Sequence, residues 1–337
     1  VKPKILVFEG DAGYYRFAVD GAFAGELRKL GDLTVAAPEG VPVADLLRGH
    51  DIFVSHHASP FPAIHDAVPA VAREPGRLKF VVCTHGGGHD YAPLLDAGVT
   101  VSNWGDAPGH GLGLLSLTLL LAMLRDLPAQ LDQVRGGGWS LLKAGIPHAY
   151  GGTPEGLRVG VYGLGFGGRA FVEMARPLGM VLKAYDPYAR PWPDGVEYAA
   201  TLADLFANLH GLVILAALTE ETRGSVTAEL LARLPDGGIV VNVARGAIVD
   251  QAALFAELTH GRLRAGLDVL EPDYLQPGDP ARQLPNCIFT AHVGPPNRLN
   301  LPPLGRNEQN ALDNIRRIGA GEPSRWVVDR ERLSRMT

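Results

Sequence analysis

Residues 157 to 190 read LRVGVYGLGFGGRAFVEMARPLGMVLKAYDPYAR, and the fold is decided there. An apolar, β-branched run from Leu157 to Tyr162 predicts a buried strand. Gly163, Gly165 and Gly168 follow, spaced G-x-G-x-x-G. Phe171, Met174, Ala175 and Leu178 then recur at helical spacing, and Gly179 closes the helix. A second strand, Val181 to Tyr185, ends at Asp186. Each part suits a dinucleotide: Gly163 permits the tight turn, Gly165 lets backbone approach a pyrophosphate, and Gly168 lets helix and strand pack closely. The helix start offers N–H groups and a positive dipole end to phosphate. Asp186 can accept ribose hydroxyls and would repel a 2′-phosphate, which favours NAD over NADP. Arg190, four residues on, keeps NADP open. An ordinary strand–helix–strand unit with a glycine turn is the alternative.

The remaining composition bounds the protein's class. A chain of 337 residues has room for two cores, and a formal charge of −5 gives no footprint for nucleic acid or an anionic membrane. Cys83 and Cys287 lie in apolar strand-like runs (KFVVC and NCIFT), so they read as buried thiols in a reducing, cytoplasmic compartment. The apolar run Ile5 to Phe8 is too short for a signal peptide and is followed by Glu9. Gly111 to Leu124 is too short to span a bilayer and reads as a helix buried between domains.

Outward from the glycine turn, strand and helix signals alternate on both sides. Strands are predicted at Lys4 to Phe8, Leu33 to Ala36, Asp51 to Val54, Lys79 to Cys83 and Val99 to Ser102, with helical spacing from Phe17 to Leu30. NWGDAPGHG reads as a loop, LGLLSLTLLLAMLR as a helix, and Gln130 to Gly156 as an irregular connector. In the second block Thr201 and Asp204 form a capping-box pattern, and Thr227 and Asp250 start further helices. Further strands are predicted at Gly211 to Ala217, Gly238 to Val243, Arg264 to Leu270 and Cys287 to Thr290, making six in that block. A helix over Leu304 to Ile318 returns to the first domain. The class is α/β, with doubly wound parallel sheets.

Ligands of such sheets bind at the carboxyl ends of the strands, and three side chains there carry chemistry. Arg245, past Ile239 to Val243, can hold a carboxylate in a two-pronged contact, or form a surface ion pair. Asp268, within the strand-like AGLDVL, needs a partner if buried; a cofactor amide or an internal salt bridge would serve. His292, in FTAHVG, can donate a proton near neutral pH. Gly86, Gly87 and Gly88 place exposed backbone after a buried strand. The pairs His56-His57 and His85/His89 lack HExxH or Cys/His spacing, so no metal is expected.

These residues resemble the D-isomer-specific 2-hydroxyacid dehydrogenases. The resemblance runs from about Leu78 to Val328, through the quoted stretch, LTEETRGSVTAELLARLPDGGIVVNVARGAIVDQAAL, HGRLRAGLDVLEPD, LPNCIFTAHVG and GEPSRWVV. It implies a Rossmann coenzyme domain at residues 104–293, inserted into a flavodoxin-like substrate domain made of 1–103 and 294–337, with nicotinamide in the cleft. The implied activity is NAD(H)-dependent interconversion of a small 2-oxo acid, such as glyoxylate or hydroxypyruvate, and its D-2-hydroxy acid. Arg245 would bind the substrate carboxylate and polarise the oxo group, and His292 would exchange the proton. Asp268 would bind the nicotinamide carboxamide, and Gly86 to Gly88 the substrate carboxylate. Further coenzyme contacts are implied for Phe166, Gly167, Ala217, Thr222, Val243, Ala244 and Gly294.

Three departures stand out. The family often reads DVFEPEP, its second acid orienting the histidine; here DVLEPDY aligns Asp273 with that acid, with Glu271 the competitor. The family's Val-Ala-Glu-His on the crossover helix is replaced by Leu112-Gly113-Leu114-Leu115. Phe166-Gly167 replaces an Arg-Ile, leaving phosphate contacts to backbone N–H groups and Arg169. A homodimer is implied, with Trp139 either reaching the neighbouring cleft or filling the dimer core. A nucleotide-sensing or partner-binding protein without turnover is the alternative to an enzyme.

Overall fold

The computed structural model describes residues 2–9, 20–37, 40–56, 62–85, 89–139, 152–294 and 304–334. The chain divides into two units, Val1–Ala107 with Asn297–Thr337, and Pro108–Pro296.

The first unit opens with β1 (Lys4–Phe8), α1 (Ala22–Leu30), β2 (Asp32–Ala36), α2 (Val43–Gly49) and β3 (Ile52–Ser55). It continues through α3 (Pro62–Arg73), β4 (Phe80–Cys83), α4 (Ala92–Asp96) and β5 (Thr100–Ser102). The five strands are parallel in the order β2-β1-β3-β4-β5, the flavodoxin-like arrangement. Alternation along β1 serves both faces. Ile5 and Val7 join Phe23 and Leu27 of α1, while Leu6 and Phe8 join Leu47 and Val68 of α2 and α3.

The second unit begins with α5 (Ala107–Leu124) and α6 (Leu127–Arg135). The strands and helices β6 (Arg158–Tyr162), α7 (Phe166–Ala175), β7 (Val181–Tyr185), β8 (Glu197–Tyr198), α8 (Leu202–Leu205) and β9 (Gly211–Ile214) follow. Then come α9 (Ala228–Leu231), β10 (Ile239–Asn242), α10 (Gln251–Thr259), β11 (Arg264–Leu267) and β12 (Cys287–Phe289). Its strands are parallel in the order β12-β11-β10-β9-β6-β7-β8, so the direction of winding reverses between β6 and β9. Val159, Val161 and Val213 face α5 and α7, whereas Tyr162, Leu212 and Ile214 face the α8, α9 and α10 side. The chain then returns to the first unit: α11 (Arg306–Gly319) packs Ala311, Leu312 and Ile315 against the β1–α1 core, and α12 (Arg330–Ser334) follows. The Val328 N–H donates to Val101 O at 2.8 Å, beside β5.

Several sequence expectations are corrected. The sheet of the second unit has seven strands rather than six, because two-residue β8 adds to β7. Helix α5 starts at Ala107, so APGHG is helical. Its glycines, poor helix formers, serve a close crossing: a Cβ on Gly109 would lie 2.7 Å from Phe166 Cβ, and one on Gly113 2.7 Å from Phe171 N. Of all described helices only α5 is long and apolar enough to cross a membrane, and more than half of it is buried within the chain. Helix α6 takes in residues 130–135 of the expected connector. Strand β11 ends at Leu267, which puts Asp268 in the loop beyond it. Thr201 and Asp204 do form a reciprocal cap, and the Asp250 carboxylate accepts the Ala253 N–H.

Candidate active site

The turn after β6 is shaped by its glycines. Gly163 has φ +96°, and a Cβ there would lie 2.5 Å from Ala216 N. A Cβ on Gly168 would come within 2.0 Å of Gly163 O, whereas one on Gly165 would meet nothing within 4 Å. The turn is therefore tight beneath and open above, a cradle that fits a pyrophosphate. Gly165 is the N-cap of α7 and supplies no side-chain cap. The helical ladder starts with Arg169 N–H to Gly165 O at 3.0 Å, so the N–H groups of Phe166, Gly167 and Gly168 have no acceptor within the helix. Arg169, expected at the phosphates, donates Nη2 to Pro191 O at 2.7 Å.

Asp186 is held by three backbone N–H groups. Its Oδ2 accepts the Leu164 N–H at 2.7 Å, and Oδ1 accepts Tyr188 N–H and Ala189 N–H at 2.9 and 3.0 Å. A carboxylate offers about four acceptor positions, so these three bonds leave one position, on Oδ2. Thr222 is likewise engaged within its own loop: its hydroxyl donates to Ala217 O at 2.7 Å and accepts from Thr219 N at 2.8 Å. Ala217 is exposed at the end of the segment after β9.

The end of β10 presents Arg245. Asn242, buried, clamps that turn: Nδ2 donates to Arg245 O at 2.9 Å, and Oδ1 accepts Ala244 N–H at 3.0 Å. Val243 is buried beside it, and the Arg245 Nη1 donates to Ala244 O at 2.7 Å. Gly246 brings the loop after β11 hard against this turn, since a Cβ there would lie 2.0 Å from the Leu270 carbonyl carbon. Gln251 braces the same loop, donating to Glu271 O and accepting Glu271 N–H, both at 2.8 Å. Neither Asn242 nor Gln251 was singled out from sequence. For Asn242 the signal was a polar residue ending the apolar strand IVVN.

His292 meets Asp273 within this frame. Its Nδ1 is hydrogen-bonded to Asp273 Oδ2, while Oδ1 accepts the Leu270 N–H at 2.9 Å. A carboxylate only accepts, so Nδ1 carries the proton in this bond, and Nε2 takes no part in it. Glu271 instead gives its peptide group to Gln251. Partial burial raises the Asp273 pKa, but the Leu270 N–H, the His292 bond and the charges of His292 and Arg245 outweigh it, so the carboxyl sits below its usual value. Arg245, Asp273 and His292 thus act on one another.

Asp268 holds the histidine's backbone. It is 2% exposed; Oδ1 accepts from Thr290 Oγ1 at 2.5 Å and Val293 N–H at 2.9 Å, and Oδ2 accepts Gly294 N–H at 3.0 Å. His292 N–H donates to Asp268 O at 2.9 Å. His292 has φ +49° and Gly294 φ +45°, so this net maintains a left-handed turn. The carboxylate therefore needs neither a cofactor amide nor a salt bridge for satisfaction, although Oδ2 keeps an acceptor position.

In the first unit the sheet edge carries buried polar residues. His85 is hydrogen-bonded to Ser55 Oγ at 3.0 Å, Ser55 to Tyr91 at 2.8 Å, and His56 Nδ1 to Thr84 Oγ1 at 3.0 Å. Gly86, Gly87, Gly88 and His57 lie outside the described residues. The described residues contain no group of three or more His, Cys, Asp or Glu placed to hold a metal ion.

Residues 117–294 match the family model for the D-isomer specific 2-hydroxyacid dehydrogenase NAD binding domain. The chain is 31% identical over 184 residues to a glyoxylate reductase/hydroxypyruvate reductase of Mus musculus, covering 53% of this chain and 56% of that one. It is 30% identical over 260 residues to a glyoxylate/hydroxypyruvate reductase of Arabidopsis thaliana, covering 76% of each. The chain thus spans little more than half the length of the mouse relative. Among solved structures, the apo D-mandelate dehydrogenase of Rhodotorula graminis superposes with a TM-score of 0.79 at 21% identity, covering 98% of both chains. A protein of Thermus thermophilus gives 0.72 at 24% identity, covering 97% of this chain and 100% of that one. At these identities the structural likeness concerns the fold.

Proposed function

Because the chain belongs to the D-isomer-specific 2-hydroxyacid dehydrogenase family, we propose that it interconverts a small 2-oxo acid and its D-2-hydroxy acid with NAD(H). The observation that carries this reading is the Asp273–His292 pair beside Arg245 at the strand ends of a dinucleotide fold. Glyoxylate and hydroxypyruvate are the substrates to test first, since they appear in the names of the mouse and Arabidopsis relatives.

The cradle at Gly163, Gly165 and Gly168 fits the pyrophosphate, Asp186 a ribose hydroxyl, and Oδ2 of Asp268 a carboxamide N–H. The bound coenzyme supplies or accepts the hydride. Arg245 holds the substrate carboxylate and draws electron density from the oxo oxygen. His292 Nε2 gives a proton to that oxygen in reduction and takes it back in oxidation. Asp273 orients the ring through its hydrogen bond with Nδ1.

An assay of NADH oxidation with a panel of 2-oxo acids tests the reading. Tight NADH binding with no turnover on any of them would favour a sensor. Asp273→Asn is expected to shift the limits of the pH–rate profile and lower kcat by about tenfold or more, whereas Glu271→Gln changes neither. The reverse pattern assigns the orienting role to Glu271. The sign for stability follows from the lowered Asp273 pKa. The contribution is complete above the ordinary aspartate value and is lost as pH falls through the lower folded value. Asp273→Asn removes that part of the acid-side loss in a pH series of thermal midpoints.

We also propose a homodimer. Helix α6 buries none of its side chains, and Leu127, Leu131 and Val134 stand exposed at i, i+4 and i+7. Trp139 beyond it is 89% exposed, and a second copy would cover this face. Sedimentation at the mass of one chain would exclude it. The two buried thiols, Cys83 and Cys287, suit a reducing, cytoplasmic setting.

A further inference from the structure

A bond crosses the sheet edge where β6 ends. The Tyr188 hydroxyl donates to both carboxylate oxygens of Glu221, at 2.9 and 3.2 Å. Tyr188 lies in the segment after β7 and Glu221 in the segment after β9, and β6 runs between those strands. Strands two places apart are separated by roughly 10 Å, so the bond can form only by passing over the end of β6. That end is the Gly163 turn, the switch point where a dinucleotide lies.

The segment that carries Glu221 is also tied to β6 through Ser225. Tyr162, the last residue of β6, is hydrogen-bonded to Ser225 Oγ at 3.1 Å, and Ser225 donates to Thr222 O at 2.7 Å. The buried Tyr162 phenol is pushed above its usual pKa, first by burial, with contributions from the charges of Tyr185, Glu221 and Asp186. Asp186 accepts the Leu164 N–H and Glu221 the Tyr188 hydroxyl, so both carboxylates flank the segment that follows β6. Arg190, the first cation after Asp186, donates Nη1 to Ala189 O at 2.6 Å.

We infer that Glu221, tethered by Tyr188, is a second negative determinant at the adenosine end of the coenzyme site, acting with Asp186 to reject the 2′-phosphate of NADP(H). The inference rests on the coenzyme reading above. It adds a residue 35 positions from Asp186, on the opposite side of β6. A 2′-phosphate carries nearly two negative charges, and placing it beside two carboxylates is unfavourable in a way that a ribose hydroxyl is not.

Fluorescence titration with NADH and with NADPH, without any 2-oxo acid, tests this independently of turnover. Glu221→Gln keeps an oxygen for Tyr188 and removes the charge, so the ratio of the NADPH to the NADH dissociation constant is expected to fall about tenfold. Tyr188→Phe leaves the charge but frees it to swing into water, and is expected to lower the ratio by about threefold. Added salt should narrow the ratio more in the unaltered protein than in Glu221→Gln, as a charge effect requires and a purely steric one does not. A ratio untouched by both substitutions overturns the inference while leaving the coenzyme reading in place. Failure of the unaltered protein to bind either dinucleotide overturns both.

Discussion

His292→Ala is expected to lower the rate of 2-oxo acid reduction by about 10³- to 10⁴-fold, with NADH binding retained. The magnitude is that of a positioned general acid whose proton transfer is lost. Retained binding is expected because the removed atoms are those of a half-exposed ring, whereas the phosphate cradle belongs to residues 163–168. The backbone of the 290–294 turn also has its own supports, through Asp268 and Thr290. Single-turnover mixing with NADH separates binding from chemistry. Loss of NADH binding together with activity would mean that His292 holds the turn and does not act as the acid.

Gly246→Ala is expected to lower kcat by at least about 100-fold, the scale of a displacement near 1 Å in a catalytic group. The added Cβ would lie 2.0 Å from the Leu270 carbonyl carbon, 2.2 Å from its oxygen and 2.5 Å from Glu271 N. All three are backbone atoms, so relief requires the Leu270–Asp273 loop to move away from the Arg245 turn. That movement draws Asp273 off His292, since Asp273 Oδ1 is anchored to the Leu270 N–H in the same loop. Gly25→Ala in α1 is the control: nothing lies within 4 Å of its Cβ, and stability should be unchanged or rise by about 0.5–1 kcal/mol. Steady-state kinetics with thermal midpoints for both variants decides the matter. An unchanged kcat in Gly246→Ala would show that the loop relaxes without moving Asp273.

Apart from β8, the strands of both sheets were legible because their signal is local. Runs such as KILVF and IVVN bury both faces and need no knowledge of their neighbours. The glycine turn was equally legible, since G-x-G-x-x-G between strand and helix constrains backbone at successive positions. Helix α6 and the start of α5 were harder. Gly109 and Gly113 are helix-poor residues whose use depends on α7, more than fifty positions away. The two-residue β8 is recognisable only by its pairing with β7.

The sequence by itself determined two α/β blocks, a dinucleotide turn and the residue types of the proposed acid–base site. These follow from side-chain periodicity and glycine sterics within short windows. Only the tertiary structure decided how those residues are used. Glu271 and Asp273 stand two apart with similar chemistry, and the fold of the 270–273 loop against Gly246 and Gln251 puts Asp273 on His292. Asp186 offers one remaining acceptor position because three backbone N–H groups converge on it. Tyr188 meets Glu221 across 33 positions because β7 and β9 flank the end of β6. In each case the outcome depends on where distant backbone segments meet, which no local pattern of residues encodes.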